Sequence, residues 1–417
     1  MRRLYDIGIL LMGLGLTLAR FFNTKAKQRY KHQNDWKSLL PGTPIDLWMH
    51  CASLGEFDQG LPLLWEYRKL HPENKILVTF FSPSGLNHYH KRNHCVDLAC
   101  LLPLDCRKNA KEFIKMAQPK MVVFVKYEFW LNFIFRLKKG GYPVYCVAAL
   151  FRKKQIYFRP LGSLFRKGLR CFEHFFVQDE NSKNLLLSIG IENVSVSGDP
   201  RYDCVLAQKN QVHTFSSHDK DLGRLQKACA SQTVMILGSS WLAEEELLFK
   251  VYQQLPVDRF IIAPHNISEG HLYEIEAMFG DACIRLSEIS KFRNEKFFLI
   301  DCIGVLNRIY GLSTVAFIGG GFSGKLHNIL EPAAYGVPVV FGPKHDKFPE
   351  ANAFISEGIG FEIEDSNDLA EKVRLILKDI EKIKQKTLSF VAAHCGATER
   401  TATELFNKRG HSDTPSN

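Results

Sequence analysis

GGGFSGKLHNILEPAAYGVPVVFGP, residues 319–343, is the stretch on which the reading of the whole chain turns. An apolar run (VAFI, 315–318) ends in three glycines, a loop follows, and the pattern then predicts a helix starting near His327 or Asn328. Glycine permits positive φ and lets backbone approach a ligand closely. A helix N-terminus presents unpaired N–H groups and a partial positive charge, which suits phosphate. Glu331 falls one turn into the helix, where a carboxylate can accept from both hydroxyls of a ribose, and Pro332 is tolerated in a first turn. A glycine turn alone is common in α/β proteins; the string HNxLEPAxxGxPV (327–339) is far more specific.

On either side, short and near-continuously apolar runs alternate with amphipathic stretches. The runs 45–50, 75–81, 98–104, 120–125, 143–149, 174–178 and 193–199 form a first set. The runs 233–240, 259–265, 296–302, 314–321 and 338–343 repeat the pattern. Runs of this kind, rich in Val, Ile and Phe, are those of strands buried on both faces of a parallel sheet. Helical patterns such as 62–71 and 132–140 lie between them, which argues for βαβ units. The polar stretch 208–232 reads as a linker. The organisation expected is therefore two Rossmann-like domains, 41–207 and 233–410, facing a central cleft. The amphipathic tail 390–409 is expected to pack back on the first half. A length of 417 residues suits two such domains.

The chain carries 54 Lys+Arg against 44 Asp+Glu, a formal charge of +10. Nucleic acid, an anionic membrane or a phosphorylated substrate would each suit this charge. There is no basic patch interleaved with aromatics of the RNA-binding type and no zinc-finger spacing, which argues against nucleic acid. The eleven cysteines form no CxxC pair and sit mostly in apolar runs, so they read as small buried hydrophobes in a reducing compartment. Residues 7–19, IGILLMGLGLTLA, form an uncharged run of thirteen after Arg2-Arg3, closed by Arg20 and followed by the basic, aromatic stretch RFFNTKAKQRYKHQ. No small-x-small cleavage site follows. Residues 1–40 are expected to be an uncleaved membrane anchor with a basic juxtamembrane segment against an anionic leaflet; the alternative is a buried N-terminal helix.

Glu56 and Glu128 each follow an expected strand, at the carboxyl edge where α/β sites form. A carboxylate at 56 suits the base that an attacking hydroxyl needs, or equally the partner of a helix dipole. Glu128 stands among Tyr127, Phe129 and Trp130. Arg201 follows the run 193–199 and could hold a phosphate or sugar carboxylate in bidentate fashion. His265, at the end of IIAPH, reads by itself as a polar cap. Asp219-Lys220-Asp221 in the linker reads as a solvated charge cluster.

Taken in order, WMHCASLGEFDQGLPLL (48–64), FFSPSG (80–85), KYEFWLN (126–132), SGDPRYD (197–203), GSSWLAEEELL (238–248) and the 319–343 segment resemble the Kdo (3-deoxy-D-manno-octulosonic acid) transferases, bacterial GT-B glycosyltransferases of lipopolysaccharide synthesis. The resemblance runs through about residues 1–410. It implies a GT-B fold and transfer of Kdo from CMP-Kdo to a lipid A precursor, lipid IVA, with inversion. It also implies Glu56 as general base, Glu128 and Arg201 as stabilisers of the transition state, and a CMP site of Pro264, His265, Ile303, Gly304, Val305, Asn328, Ile329, Leu330 and Glu331. It implies no metal or cofactor, and a place on the cytoplasmic side of the bacterial inner membrane. The chain departs from the family pattern at Arg201 (Lys in the family), Pro264 (Arg) and Val305 (Glu). Lys325 or Arg201 is expected to compensate the missing Arg. The competing readings are a GT-B enzyme using a UDP-sugar and a non-catalytic membrane scaffold of the same fold.

Overall fold

The structure is a computed structural model of the chain and describes residues 1–40, 42, 44–210 and 219–407. It divides into two compact units, Met1–Cys204 with His394–Asn417, and Val205–Ala393.

The first unit holds a seven-stranded parallel sheet in the order β3-β2-β1-β4-β5-β6-β7. Its strands are β1 (Leu47–Cys51), β2 (Ile76–Phe80), β3 (Leu98–Leu101), β4 (Met121–Val125), β5 (Val144–Ala149), β6 (His174–Val177) and β7 (Val194–Val196). Every residue of β1, β2 and β4 is buried, which explains their continuous apolar runs. One face packs Trp48, Phe113, Phe124 and Phe133 into a core; the other packs Met49, Phe57, Val78 and Val123.

The second unit repeats the topology as β10-β11-β9-β8-β12-β13-β14. Its strands are β8 (Val234–Ser240), β9 (Arg259–Pro264), β10 (Cys283–Arg285), β11 (Phe297–Leu299), β12 (Val315–Ile318), β13 (Val339–Phe341) and β14 (Gly360–Glu362). Strands β10 and β14 correspond to no run in the sequence reading. Both are three-residue edge strands that are only partly buried, so no apolar block marks them.

Both sheets change winding direction at one place, between β1 and β4 and between β8 and β12. Strand ends flanking such a switch point leave a crevice at the carboxyl edge, where α/β proteins bind ligands.

The expected domain boundaries are corrected at three places. Residues 1–40 are not a separate domain but part of the first unit. Helix α1 (Arg2–Ala19) lies on the first unit, with Ile9 buried in its core. Tyr5 Oη donates to the buried Asp105 at 2.6 Å, and Asp6 pairs with Arg107. Among the described residues no single helix is long and apolar enough to cross a membrane; α1 and the segment Thr24–Leu39, which begins with helix α2 (Thr24–His32), meet at 115°. The outer face of α1 exposes Leu4, Ile7, Leu10, Leu11, Leu14 and Leu18.

Second, the expected linker 208–232 is not a free connection. The helix Asp219–Cys229 buries Leu222, Leu225 and Cys229 in the second unit, and Asp219 pairs with Arg308 at 2.7 Å. Positions 211–218 of that linker lie outside the described residues. Third, the second domain does not run to 410. The helix Ala397–Asn407 belongs to the first unit, where Leu405 and Phe406 join the core and Phe406 packs on Tyr67 at 5.2 Å.

Candidate active site

In the first unit, β1 leads directly into the helix Leu54–Leu70. Ser53 caps it, its Oγ accepting from Glu56 N, and Glu56 Oε2 reaches back to accept from Ala52 N. This is a variant of the capping box, so Glu56 does serve its helix. Its carboxyl is also pushed up to about 7, chiefly by burial and further by the charge of Glu128; the Ala52 amide and Lys126 oppose this. A carboxylate poised there is suited to proton abstraction near neutral pH.

Glu128 arrives from β4 on the other side of the switch point. Lys126 takes φ +66, a left-handed turn that ends the strand. Among the described residues Glu128 Oε2 is buried with no hydrogen-bond partner, and His50 Nε2 lies 3.8 Å away. That approach is not an ion pair. The Trp130 indole N–H, which can only donate, points at His50 Nε2 at 3.1 Å, so Nε2 carries no proton. The His50 proton therefore sits on Nδ1, facing Thr79 Oγ1 at 2.9 Å, and Thr79 also accepts from Trp48 Nε1 at 2.8 Å. His50 is thereby engaged at both ring nitrogens, and Glu128 keeps an open, buried acceptor oxygen.

Sequence reasoning missed Arg29, which it had assigned to a headgroup-facing stretch. The side chain is 5% exposed and donates to Phe81 O and Leu102 O, just beyond β2 and β3. Its guanidinium lies 4.0 Å from the Phe81 ring centre, and Phe81 stacks on Trp130 at 4.8 Å. Burial pulls its pKa down to about 10, and the charge of Glu128 opposes that. No local pattern distinguishes Arg29 from the basic residues around it.

Arg201 sits in the first turn of the helix Pro200–Asn210 and already holds a carboxylate. Nε and Nη2 reach Asp199 Oδ2 at 2.9 and 2.7 Å. The clamp expected for a ligand is thus engaged within the chain.

In the second unit the 319–343 segment differs from its expected role. Gly319 and Gly321 are required by backbone packing: a Cβ at 319 would lie 2.2 Å from Ser239 O, and one at 321 would lie 2.4 Å from Gly342 N. Gly320 takes φ +87, and its amide donates to the buried Glu244 Oε1 at 2.8 Å. That N–H is therefore not open to phosphate. Glu244 also accepts from Trp241 N at 3.1 Å, so one buried carboxylate ties the β8 and β12 loops together. The helix begins at Leu330, not 327 or 328, and ends at Ala334. Asn328 explains the late start: its Oδ1 accepts from Leu330 N at 3.1 Å, and its Nδ2 donates to Glu331 Oε1 at 3.0 Å. Ile329 and Leu330 are buried, so only their backbone can meet a ligand.

His265 is exposed beyond the buried Pro264. It stacks on Trp241 at 4.6 Å and packs on His327 at 4.6 Å. Trp241 Nε1 donates to His327 Nε2 at 3.3 Å, and burial with the nearby His265 pulls His327 down to about 4. Three loops thus bring an aromatic cluster, uncharged at His327, to the carboxyl edge of this sheet. Of the Ile303–Val305 stretch, Ile303 is exposed, Gly304 takes φ +88 and Val305 is buried. Lys325 is exposed in the glycine loop and makes no ion pair among the described residues.

Residues 19–204 match the family model described as 3-deoxy-D-manno-octulosonic-acid transferase (kdotransferase). The 3-deoxy-D-manno-octulosonic acid transferase of Aquifex aeolicus is 27% identical over 345 residues, which cover 81% of this chain and 88% of that protein. The Chlamydophila psittaci protein of the same name is 29% identical over 344 residues, 79% of this chain and 77% of that one. Among solved structures, the UDP-GlcNAc 2-epimerase of Neisseria meningitidis bound to UDP-GlcNAc superposes with a TM-score of 0.61 at 15% identity, covering 88% of this chain and 99% of that one. That likeness speaks for the two-Rossmann, GT-B-like fold alone.

Proposed function

We propose, for a chain that belongs to the Kdo transferase family and is a glycosyltransferase of lipopolysaccharide synthesis, that it moves Kdo from CMP-Kdo to a hydroxyl of a lipid A precursor, lipid IVA, with inversion. The observation that carries this reading is the pair Glu56 and Glu128 at the two strand ends beside the first sheet's switch point, with Glu56 raised to about 7.

Glu56 takes the proton of the acceptor hydroxyl as its oxygen bonds to the anomeric carbon of Kdo. The bond from that carbon to the CMP phosphate oxygen breaks, and CMP leaves with the electron pair. Positive charge develops on the sugar during this exchange, as in other glycosyl transfers through oxocarbenium-like states. Glu128, with its open buried oxygen, stabilises that charge or accepts from an acceptor hydroxyl. Arg201 can hold the Kdo carboxylate by exchanging Asp199 for it, since both are carboxylates of the same geometry.

On the second unit Glu331 and Asn328 meet the ribose, His265 and the Ile303–Val305 backbone line the base and phosphate, and Lys325 supplies a cation in place of the family's Arg at 264. Pro264, Ile329 and Leu330 contribute backbone. The reading calls for no metal, because Lys325 and Arg201 carry the anionic charge. The apolar outer face of α1, with the basic α2 beside it, supports attachment to an anionic membrane surface on the cytoplasmic side of the inner membrane.

The test is mass spectrometry of the product from CMP-Kdo and a tetra-acylated lipid A precursor, with CMP and UDP as competitors. A product heavier by Kdo and inhibition by CMP but not UDP are expected. Inhibition by UDP alone would favour a UDP-sugar donor, and a Glu56→Ala protein of full activity would refute the mechanism.

A further inference from the structure

The loop after β8 carries Trp241, a large apolar side chain that is 39% exposed. Its backbone is fixed on both sides. The Trp241 N–H donates to Glu244 Oε2 at 3.1 Å, and its carbonyl accepts from Glu244 N at 3.0 Å and from Glu245 N at 3.2 Å. The same Glu244 holds Gly320 N at 2.8 Å, and His327 N donates to Gly319 O at 3.1 Å. One carboxylate therefore sets the spacing between Trp241 and the loop that carries His327. The two side chains meet across that spacing, Trp241 Nε1 donating to His327 Nε2 at 3.3 Å.

That contact selects a tautomer. An indole N–H can only donate, so His327 Nε2 is the unprotonated nitrogen. Burial and the neighbouring His265 pull His327 down to about 4, so near neutral pH the ring holds a single proton. That proton sits on Nδ1. A Cβ at Gly320 would lie 3.3 Å from His327 Cδ2, so the edge formed by Cδ2 and Nε2 faces the glycine loop and the indole. Nδ1 lies on the opposite edge of the imidazole and has no hydrogen-bond partner among the described residues. An N–H presented in this way is a donor without charge, which can bind an anionic oxygen and keep its proton.

We propose that His327 donates its Nδ1–H to a phosphate oxygen of the donor nucleotide, and that Trp241 is the positioning residue that holds the imidazole in this tautomer. This rests on the reading of the chain as a CMP-Kdo transferase. His327 directly precedes Asn328 and stands four residues before Glu331, the two side chains assigned to the ribose. A 5′-phosphate is joined to that ribose, so it falls within reach of the His327 ring. As CMP leaves, negative charge grows on the phosphate, and a donor aimed at it gains strength with that charge. Lys325, two residues away, supplies the positive charge that the neutral imidazole does not.

The experiment measures binding of CMP and of cytidine to the full chain and its Trp241→Phe, His327→Asn and His327→Gln variants, together with the imidazole nitrogen NMR shifts of His327. Phenylalanine at 241 keeps a ring against His265 and removes only the N–H. Asparagine at 327 places an amide donor near the Nδ1 position, and glutamine places it near the Nε2 position. Wild type is expected to show the Nδ1–H form, and Trp241→Phe a mixture of the two tautomers. His327→Gln should weaken CMP binding about tenfold, the scale of one hydrogen bond to a charged acceptor, while His327→Asn keeps most of the affinity. With about a third of the ring left in the competent tautomer, Trp241→Phe should bind CMP about threefold less tightly. Cytidine lacks the phosphate, so its affinity should be the same in all four proteins. An Nε2–H form in wild type overturns the proposal, as does an equal loss for CMP and cytidine, or equal affinities in His327→Asn and His327→Gln. CMP binding that none of the variants alters overturns this proposal alone. A wild type that does not bind CMP refutes the CMP-Kdo reading and the phosphate contact together.

Discussion

Replacing Glu56 by Gln should abolish transfer and stabilise the fold, and the stabilisation should depend on pH. The Glu56 carboxyl is raised from 4.5 to about 7, burial being the largest cause. Its folded-state pKa thus lies above its unfolded value, so the folded protein holds the proton more tightly. The contribution to stability is full below about pH 4.5, falls as pH rises toward 7, and is flat above. At about 1.4 kcal/mol per pH unit, the ionised carboxylate costs on the order of 3 kcal/mol above neutrality. Glu56 is half-buried, and solvent screening brings the expected figure to about 2 kcal/mol. Glutamine keeps an oxygen for Ala52 N and cannot ionise. Urea unfolding at pH 5 and pH 8.5 should therefore show a gain below about 1 kcal/mol at the lower pH and about 2 kcal/mol at the higher. In parallel, the wild-type rate should climb through pH 7 to a plateau, and the variant should lose about 10²–10⁴ in kcat. A gain over wild type that is the same at both pH values, or a variant less stable than wild type at pH 8.5, would refute the assignment of a strained carboxylate at this position.

Three further outcomes follow from the same geometry. Glu128→Gln removes a like charge that raises Glu56, so the acid limb of the rate profile should move to lower pH while kcat falls; an unmoved limb would separate the two carboxylates. Gly319→Ala places a methyl 2.2 Å from Ser239 O and should destabilise the chain by about 1–3 kcal/mol or more. Calorimetry would detect this, and a neutral substitution would contradict the close packing of the β8 and β12 ends. Lys325→Ala should weaken CMP-Kdo binding about five- to tenfold without changing stability, since the side chain is exposed and makes no ion pair among the described residues. Titration with CMP would read the loss, and an unchanged affinity would remove Lys325 from the phosphate site.

Sequence alone determined the layered α/β plan, because a strand buried on both faces must be apolar along its length and the runs at 47–51, 121–125, 234–240 and 315–318 say so residue by residue. The same runs set Glu56, Glu128 and the 319–321 glycines at strand ends, since a residue just past a parallel strand lies at the carboxyl edge. Tertiary structure decided which buried polar groups find each other. Glu244 reads locally as one of three successive acids on a helix, yet it holds Gly320 N, 76 positions away, and so closes an amide that the glycine motif alone offered to phosphate. Arg29 reads as one base in a basic stretch, yet it is folded against Phe81 and Leu102 at the carboxyl edge of the first sheet. Hydrophobic periodicity is local and survives in one dimension. The pairing of a buried charge is set by whatever the fold brings within 3 Å of it, and no spacing along the chain encodes that distance.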